Sequence, residues 1–298
     1  MIKKIVISGG DLTFFSMLGV IKIIKDEIVN VEEIFSVSCG SWIGLFLSLK
    51  IDIQIIINYF VERPWGKLFS FDTDILLNLY NTTGLYDVSY FYEIFKPLFK
   101  ISNMDVNITL KELYEHSKIK LNIYSTKYSD LSFCCFNHEK TPDLKVIDAI
   151  FMSSTIPIIL KPLKYNGNCY IDGAYNCNFP LFECIKNIEN KSEILGIEAV
   201  RFEEDANANN NDNVLSFYTK LCFKFILAKR LTTNVIDNDI KKIIIKYDEF
   251  EFSKFLKAIN DEKTRSDMIK KGEDEANIYI KYNDQRVESK SGIKELIE

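Results

Sequence analysis

Two side chains of types that could exchange a proton directly, a serine and an aspartate, each close a strand-like run. The first lies in Ile34-Phe35-Ser36-Val37-Ser38-Cys39-Gly40-Ser41-Trp42-Ile43-Gly44. A β-branched and aromatic run ends at Ser38, and an apolar helical pattern starts straight after it. A serine at such a strand-to-helix turn is held with its Oγ exposed at the carboxyl end of a sheet. The helix N-terminus behind it carries partial positive charge, which favours an alkoxide. Ser36 and Gly40 are small enough for the turn to pack. The same pattern also describes a serine that only caps the helix of a βα unit. The second side chain is in Tyr165-Asn166-Gly167-Asn168-Cys169-Tyr170-Ile171-Asp172-Gly173-Ala174. Asn166-Gly167 signals a hairpin turn, Cys169-Tyr170-Ile171 is a short strand, and Gly173 lets the chain turn after Asp172. Taken alone, the Asp-Gly pair is also an ordinary turn. A third segment, Ser8-Gly9-Gly10-Asp11, follows the first strand. There the backbone N–H groups of Gly9, Gly10 and Asp11 can be aimed at a developing oxyanion.

Inventory narrows the chemistry. The chain has two histidines, His116 and His138, and none follows Asp172. The order serine, acid, histidine is therefore absent. His116 falls in a helical pattern and His138 in a polar turn, and both read as surface residues. Activation of Ser38 then falls to a carboxylate acting directly, with Asp172 as the base. Neither a G-x-G-x-x-G nor a Gly-Lys-Ser/Thr pattern occurs, so no nucleotide cofactor is expected. Neither histidine stands at zinc-ligand spacing with cysteine, and no metal is expected. Seven cysteines without a Cys-x-x-Cys pair read as reduced, mostly buried thiols.

The elements that must position these residues follow from periodicity. Strands are expected at Lys3–Ser8, Ile34–Ser38, Leu121–Thr126, Leu131–Asn137, Ile194–Val200 and Lys241–Lys246. Helices are expected at Leu18–Lys25, Ser41–Lys50, Ile51–Val61 and Lys111–His116. This alternation implies βαβ units in a mainly parallel sheet covered on both faces, an α/β architecture. Residues 63–118 read as a helical insertion over one end of the sheet. The division expected is a core over 1–202, a solvated Asn-rich loop over 203–213, and a carboxy-terminal strand with helices over 214–298 in the same domain. Asp261 to Tyr282 reads as a surface helix rich in alternating charge.

Of the 298 residues, 47% are hydrophobic and 13% aromatic, ample for a large core. A net charge of −5 argues against nucleic acid as the main partner. Apolar runs are too short to span a bilayer, and the N-terminus reads as a first strand rather than a signal peptide. A soluble, cytoplasmic protein is expected. The segment Phe217 to Arg230 is basic and aromatic with no acidic residue. It fits an amphipathic helix lying on an anionic membrane through Lys220, Lys224, Lys229 and Arg230. It equally fits a helix packed on the core with solvated lysines.

In this order and context the three segments resemble the patatin-like phospholipases. That family has a glycine-rich oxyanion loop, a serine elbow, an Asp-Gly-Gly or Asp-Gly-Ala motif, and a Ser-Asp dyad without histidine. Ser38 matches the elbow serine, Asp172 the dyad acid, and Gly9 and Gly10 the start of the loop. Ala149 to Pro157, Asn178-Phe179-Pro180 and Met268–Tyr279 around Gly272 are similar to further family segments. The resemblance implies a three-layer α/β/α sandwich, with a helical insertion and carboxy-terminal helices. It also implies a phospholipid or other acyl-lipid substrate. Where the family's loop continues Gly-Gly-Gly-x-Arg/Lys-Gly, this chain has Gly9-Gly10-Asp11-Leu12-Thr13-Phe14. A carboxylate beside an oxyanion repels it, so Asp11 is expected to point away. The altered loop defines the alternative expectation: a lipid-binding or interaction protein with weakened or absent catalysis.

Overall fold

The structure is a computed structural model and describes residues 1–69, 82–186, 190–201, 217–218, 220–222, 224–226, 237, 239–247 and 252–295. The elements, in chain order, are β1 (Lys4–Ile7), α1 (Thr13–Ile24), β2 (Glu33–Val37), α2 (Cys39–Leu49), α3 (Ile53–Glu62), α4 (Trp65–Leu68), β3 (Gly84–Tyr86), α5 (Val88–Ile101), α6 (Leu110–Ser117), β4 (Lys120–Lys127) and β5 (Phe133–Phe136). They continue with α7 (Val146–Ser153), β6 (Ile158–Leu160), β7 (Lys164–Tyr165), β8 (Asn168–Asp172), α8 (Leu181–Ile185), β9 (Ile194–Arg201), β10 (Lys241–Tyr247), α9 (Phe252–Asn260) and α10 (Glu262–Glu295).

Among the described residues the main sheet runs β10-β9-β1-β2-β4-β8-β7, with β5 also paired to β4. The pairs β1/β2, β1/β9, β9/β10 and β2/β4 are parallel, as the β-branched runs imply. Alternation carries the layers. Ile5 and Ile7 face one hydrophobic cluster with α1 and α2, while Val6 faces another with Leu181 and Cys184 of α8. Burying both faces of a parallel sheet requires helices on both sides. The fold is therefore the expected α/β sandwich.

The register around β4 decides where the chemistry sits. Its β5 edge is filled from Ile123 to Thr126. On the opposite edge β2 pairs up to Val37↔Tyr124, and β8 takes over at Ser125↔Asp172. Asp172 thus occupies the register position next beyond Val37, where β2 gives way to the turn at Ser38. The Asn166-Gly167 turn sets this up. Both residues have positive φ (48° and 76°), the two-residue geometry that matches strand twist, and Tyr165 pairs with Asn168.

Two expectations change. The insertion is helical in α4, α5 and α6, but it also contributes β3, which pairs in parallel with β6 as a separate two-stranded sheet. The Asp261 to Tyr282 segment is not merely a surface helix. Arg265, Ile269, Ala276 and Tyr279 are buried, and they recur at three- and four-residue spacing on one face of α10. That face crosses α1 at two glycines. A Cβ on Gly19 would meet the Ile269 carbonyl at 2.0 Å, and one on Gly272 the Ser16 carbonyl at 1.8 Å. Ser16 Oγ donates to the Met268 carbonyl (2.9 Å) and Lys22 pairs with Glu273 (2.8 Å), fixing the crossing. Periodicity hid this face because an arginine and a glycine occupy two of its core positions. The Asn-rich loop expected at 203–213 lies outside the described residues. Among the described residues no helix is long and apolar enough to cross a membrane.

Candidate active site

Ser38 is the hinge between β2 and α2. Its backbone sits at φ 52° and ψ −130°, a sparsely populated region that an ordinary helix cap does not need. Three contacts hold it there. The Ser38 N–H donates to Ser153 Oγ (2.9 Å), and that hydroxyl donates to the Tyr124 carbonyl (2.6 Å). The Ser38 carbonyl accepts from Ser41 Oγ (2.6 Å) and the Ser41 N–H (2.9 Å). Ser38 is 8% exposed, and its hydroxyl is aimed at the end of β8.

There Ser38 Oγ donates to Asp172 Oδ2 at 2.6 Å. The other carboxylate oxygen, Oδ1, accepts the Ala174 N–H (2.8 Å), and the Asp172 N–H donates to the Thr155 carbonyl (2.8 Å). Asp172 is 1% exposed. Burial pushes its pKa up to about 7, against the opposing pull of the Ser38 hydroxyl and the Ala174 N–H. Such a carboxylate is a stronger base than an ordinary aspartate and is suited to take a proton near neutral pH. Neither histidine takes part. His116 is exposed on α6, and the ring of His138 stacks on Tyr114 at 3.6 Å.

The glycine loop lies against this pair, with a change of roles. The Gly9 N–H, expected as an oxyanion donor, instead donates to the Asn178 carbonyl (3.2 Å), and Asn178 Nδ2 donates back to the Gly9 carbonyl (3.3 Å). This exchange ties the loop to the Asn178-Phe179-Pro180 segment. Gly9 matters for space: a Cβ there would meet Ser38 Cβ at 2.9 Å and Asn178 Oδ1 at 2.7 Å. Asp11 has a positive φ of 42°, and its Oδ1 accepts the Leu12 N–H at the start of α1. It does not turn fully away, because it lines the same cavity as Ser38. Residue type gave no signal for Cys39, which opens α2 directly after Ser38. Burial drives its thiol well above the ordinary value, with Asp11 and Asp172 adding to this and the N–H groups of Gly10 and Cys39 opposing it. Those two N–H groups therefore face the sulfur of the residue next to Ser38, and the Cys39 N–H belongs to the first turn of α2. A backbone donor leaves no trace in residue type, so only the position after the serine could have signalled it.

Ser38 opens onto a cavity of ≈ 210 Å³ walled chiefly by aromatic and aliphatic side chains. Phe14 is part of its wall, with ring centroids 5.2 Å from Trp42 and 4.7 Å from Phe60. Trp42 Nε1 is satisfied by Ser154 Oγ (3.0 Å). The phenylalanine that broke the glycine pattern of the loop therefore builds the apolar wall. Among the described residues no three His, Cys, Asp or Glu side chains come together to hold a metal ion. Of the four basic residues expected at a membrane, Lys220 is half-buried and Lys224 exposed in a helical stretch, while Lys229 and Arg230 lie outside the described residues.

The sequence profile of patatin-like phospholipases matches residues 5–185. A protein named "Probable lipid hydrolase 463L" of Invertebrate iridescent virus 6 is 30% identical over 212 residues, 66% of this chain and 69% of that protein. "Uncharacterized protein R571" of Acanthamoeba polyphaga mimivirus is 25% identical over 183 residues, 60% of each chain. The chain thus spans less than two thirds of the length of that second relative. The crystal structure of VipD from Legionella pneumophila superposes with a TM-score of 0.54 at 15% identity, over 94% of this chain and 67% of that one, a likeness of fold. The matched segment contains both the Ser38 turn and the Asp172 hairpin, and the chain belongs to the patatin-like phospholipase family.

Proposed function

We propose that the chain is a lipid acyl hydrolase of phospholipase A type, with Ser38 as nucleophile and Asp172 as general base. Family membership and the relative named as a lipid hydrolase support lipid hydrolysis in general. The observation that carries the finer reading is the 2.6 Å hydrogen bond from Ser38 Oγ to Asp172 Oδ2 at an apolar cavity.

In this mechanism Ser38 Oγ attacks the ester carbonyl while its proton passes to Asp172. The N–H groups of Gly10 and Cys39, with the N-terminus of α2 behind them, hold the oxyanion. Collapse of the adduct breaks the ester bond, and Asp172 returns the proton to the departing alcohol oxygen. A water deprotonated by Asp172 then cleaves the acyl-Ser38 ester, releasing the fatty acid and restoring the serine.

Access to lipid is part of the reading. Phe217, Tyr218 and Phe225 are 43%, 51% and 60% exposed in the helical stretch that carries Lys220 and Lys224. An aromatic and basic surface suits peripheral attachment to an anionic membrane, by a protein residing in the cytoplasm. Residues 1–202 form the catalytic core, and the segment from 214 belongs to the same domain, held by the α1–α10 crossing.

The Asp11 carboxylate in the cavity favours the second reading, a lipid-binding protein with weakened catalysis. Fatty-acid release from mixed phospholipid vesicles separates the two. Wild type is expected to release fatty acid, Ser38→Ala to lose about 10⁴-fold or more, and Asp172→Asn on the order of 10³-fold. Vesicle binding without release, and no reaction of Ser38 with a fluorophosphonate, would leave the second reading standing.

A further inference from the structure

The cavity is not closed by the family-matched segment alone. Phe255 and Ile259 of α9 line it together with Phe60, Trp65 and Phe69, and α9 lies well beyond residue 185, where the profile match ends. Phe255 meets Phe69 across the contact, ring centroids 6.3 Å apart. The end of α9 is seated with little clearance, since a Cβ on Gly66 would meet Asn260 Oδ1 at 2.1 Å.

One side chain ties these pieces together. Arg265, on the first turn of α10, is 2% exposed. Its Nε donates to the Val61 carbonyl (2.9 Å), and Nη2 donates to the same oxygen. Its Nη1 donates to the Ala258 carbonyl (2.7 Å). Val61 is in the last turn of α3 and Ala258 in the last turn of α9, so the guanidinium satisfies the carboxyl ends of two helices at once. Both helices put side chains into the cavity, Phe60 from α3 and Ile259 from α9, each adjacent in sequence to an Arg265 acceptor.

We propose that the carboxy-terminal helices form the selectivity wall of the acyl cavity. Phe255 and Ile259 limit the length of the acyl chain, and Arg265 is the positioning residue that fixes this wall against α3. The inference rests on the acyl-hydrolase reading and adds to it that acyl-chain selection resides in helices outside the matched segment.

The test is a profile of kcat/KM against chain length for p-nitrophenyl esters from four to sixteen carbons, with the full chain and below its unfolding temperature. Phe255→Ala opens the wall and should move the optimum to longer chains, while Phe255→Trp should move it to shorter ones. In each case the ratio between neighbouring chain lengths is expected to change about tenfold. Arg265→Met should flatten the profile, chiefly through KM, and Arg265→Lys should restore part of it. A purely structural arginine would lower the melting temperature of Arg265→Met and leave the profile in place, which overturns its positioning role. If wild type hydrolyses the esters and neither Phe255 variant moves the optimum, the wall is overturned while the hydrolase reading stands. If no ester is hydrolysed at any length and Ser38 resists a fluorophosphonate, the hydrolase reading falls and takes the wall with it.

Discussion

A buried aspartate bonded to a serine and to no histidine sets the pH behaviour of this protein. In the proposed mechanism Asp172 must be ionised to accept the Ser38 proton, and burial raises its pKa to about 7. Steady-state kcat/KM is therefore expected to rise with pH and level off above about 7, with no histidine step superimposed. Stability should run the other way. The folded-state pKa lies above the ordinary value of 3.8, so the folded state binds more protons between the two values. That contribution is present below the lower value and is lost as pH climbs to the upper one. Asp172→Asn carries no charge to bury. Denaturant titrations should show its stability gaining on wild type from about pH 4 to about pH 7, by up to roughly 4 kcal/mol. A second residue-scale prediction concerns space. Gly9→Ala places a methyl 2.9 Å from Ser38 Cβ and should displace the nucleophile, costing about 10²-fold in rate with the far-ultraviolet spectrum unchanged. The hydrogen-bonded pair Ser38 and Asp172 was legible because the lack of histidines pointed to a carboxylate and the resemblance to the patatin-like family singled out the serine turn and the Asp172-Gly173-Ala174 motif. Ser153 and the Cys39 N–H were not. One acts from 115 positions away, and the other is a backbone group common to nearly every residue type.

Among the elements, β4 brings the pair together, because β2 and β8 share one of its edges and meet head to head at Tyr124 and Ser125. The strands themselves were readable as β-branched runs, and the Asn166-Gly167 hairpin by its turn chemistry. Their lateral order was not, since pairing is a long-range choice that local patterning does not encode. The parallel β3–β6 pair escaped for the same reason, being only three residues per strand. The α1–α10 crossing makes a test at this scale. Gly272→Leu must push against the Ser16 backbone, which cannot yield as a flexible side chain would. A loss of about 3 kcal/mol or more is expected by chemical denaturation, against little change for the exposed Lys270→Ala. Equal stability of the two variants would mean the helices do not cross as described.

At the scale of the whole molecule, the sheet brings the carboxyl ends of β2 and β8 together, and an aromatic cavity opens beside them. The exposed aromatic residues at 217, 218 and 225 give the molecule an apolar surface patch that the core does not absorb. Phe217→Ser with Phe225→Ser should reduce partition onto anionic vesicles several-fold in a sedimentation assay. Hydrolysis of a water-soluble ester should be retained, because neither residue lines the cavity. Charge removal at Lys220, Lys224, Lys229 and Arg230 is expected to act in the same direction, more strongly at low salt. Acyl transfer to Ser38 is tested most directly by rapid acid quench of the protein during turnover of a slowly deacylating ester, followed by peptide mass spectrometry. The expected result is one acyl group on the peptide carrying Ser38, absent from Ser38→Ala. Fatty acid released at the wild-type rate by Ser38→Ala, or an acyl group on any other residue, would contradict it.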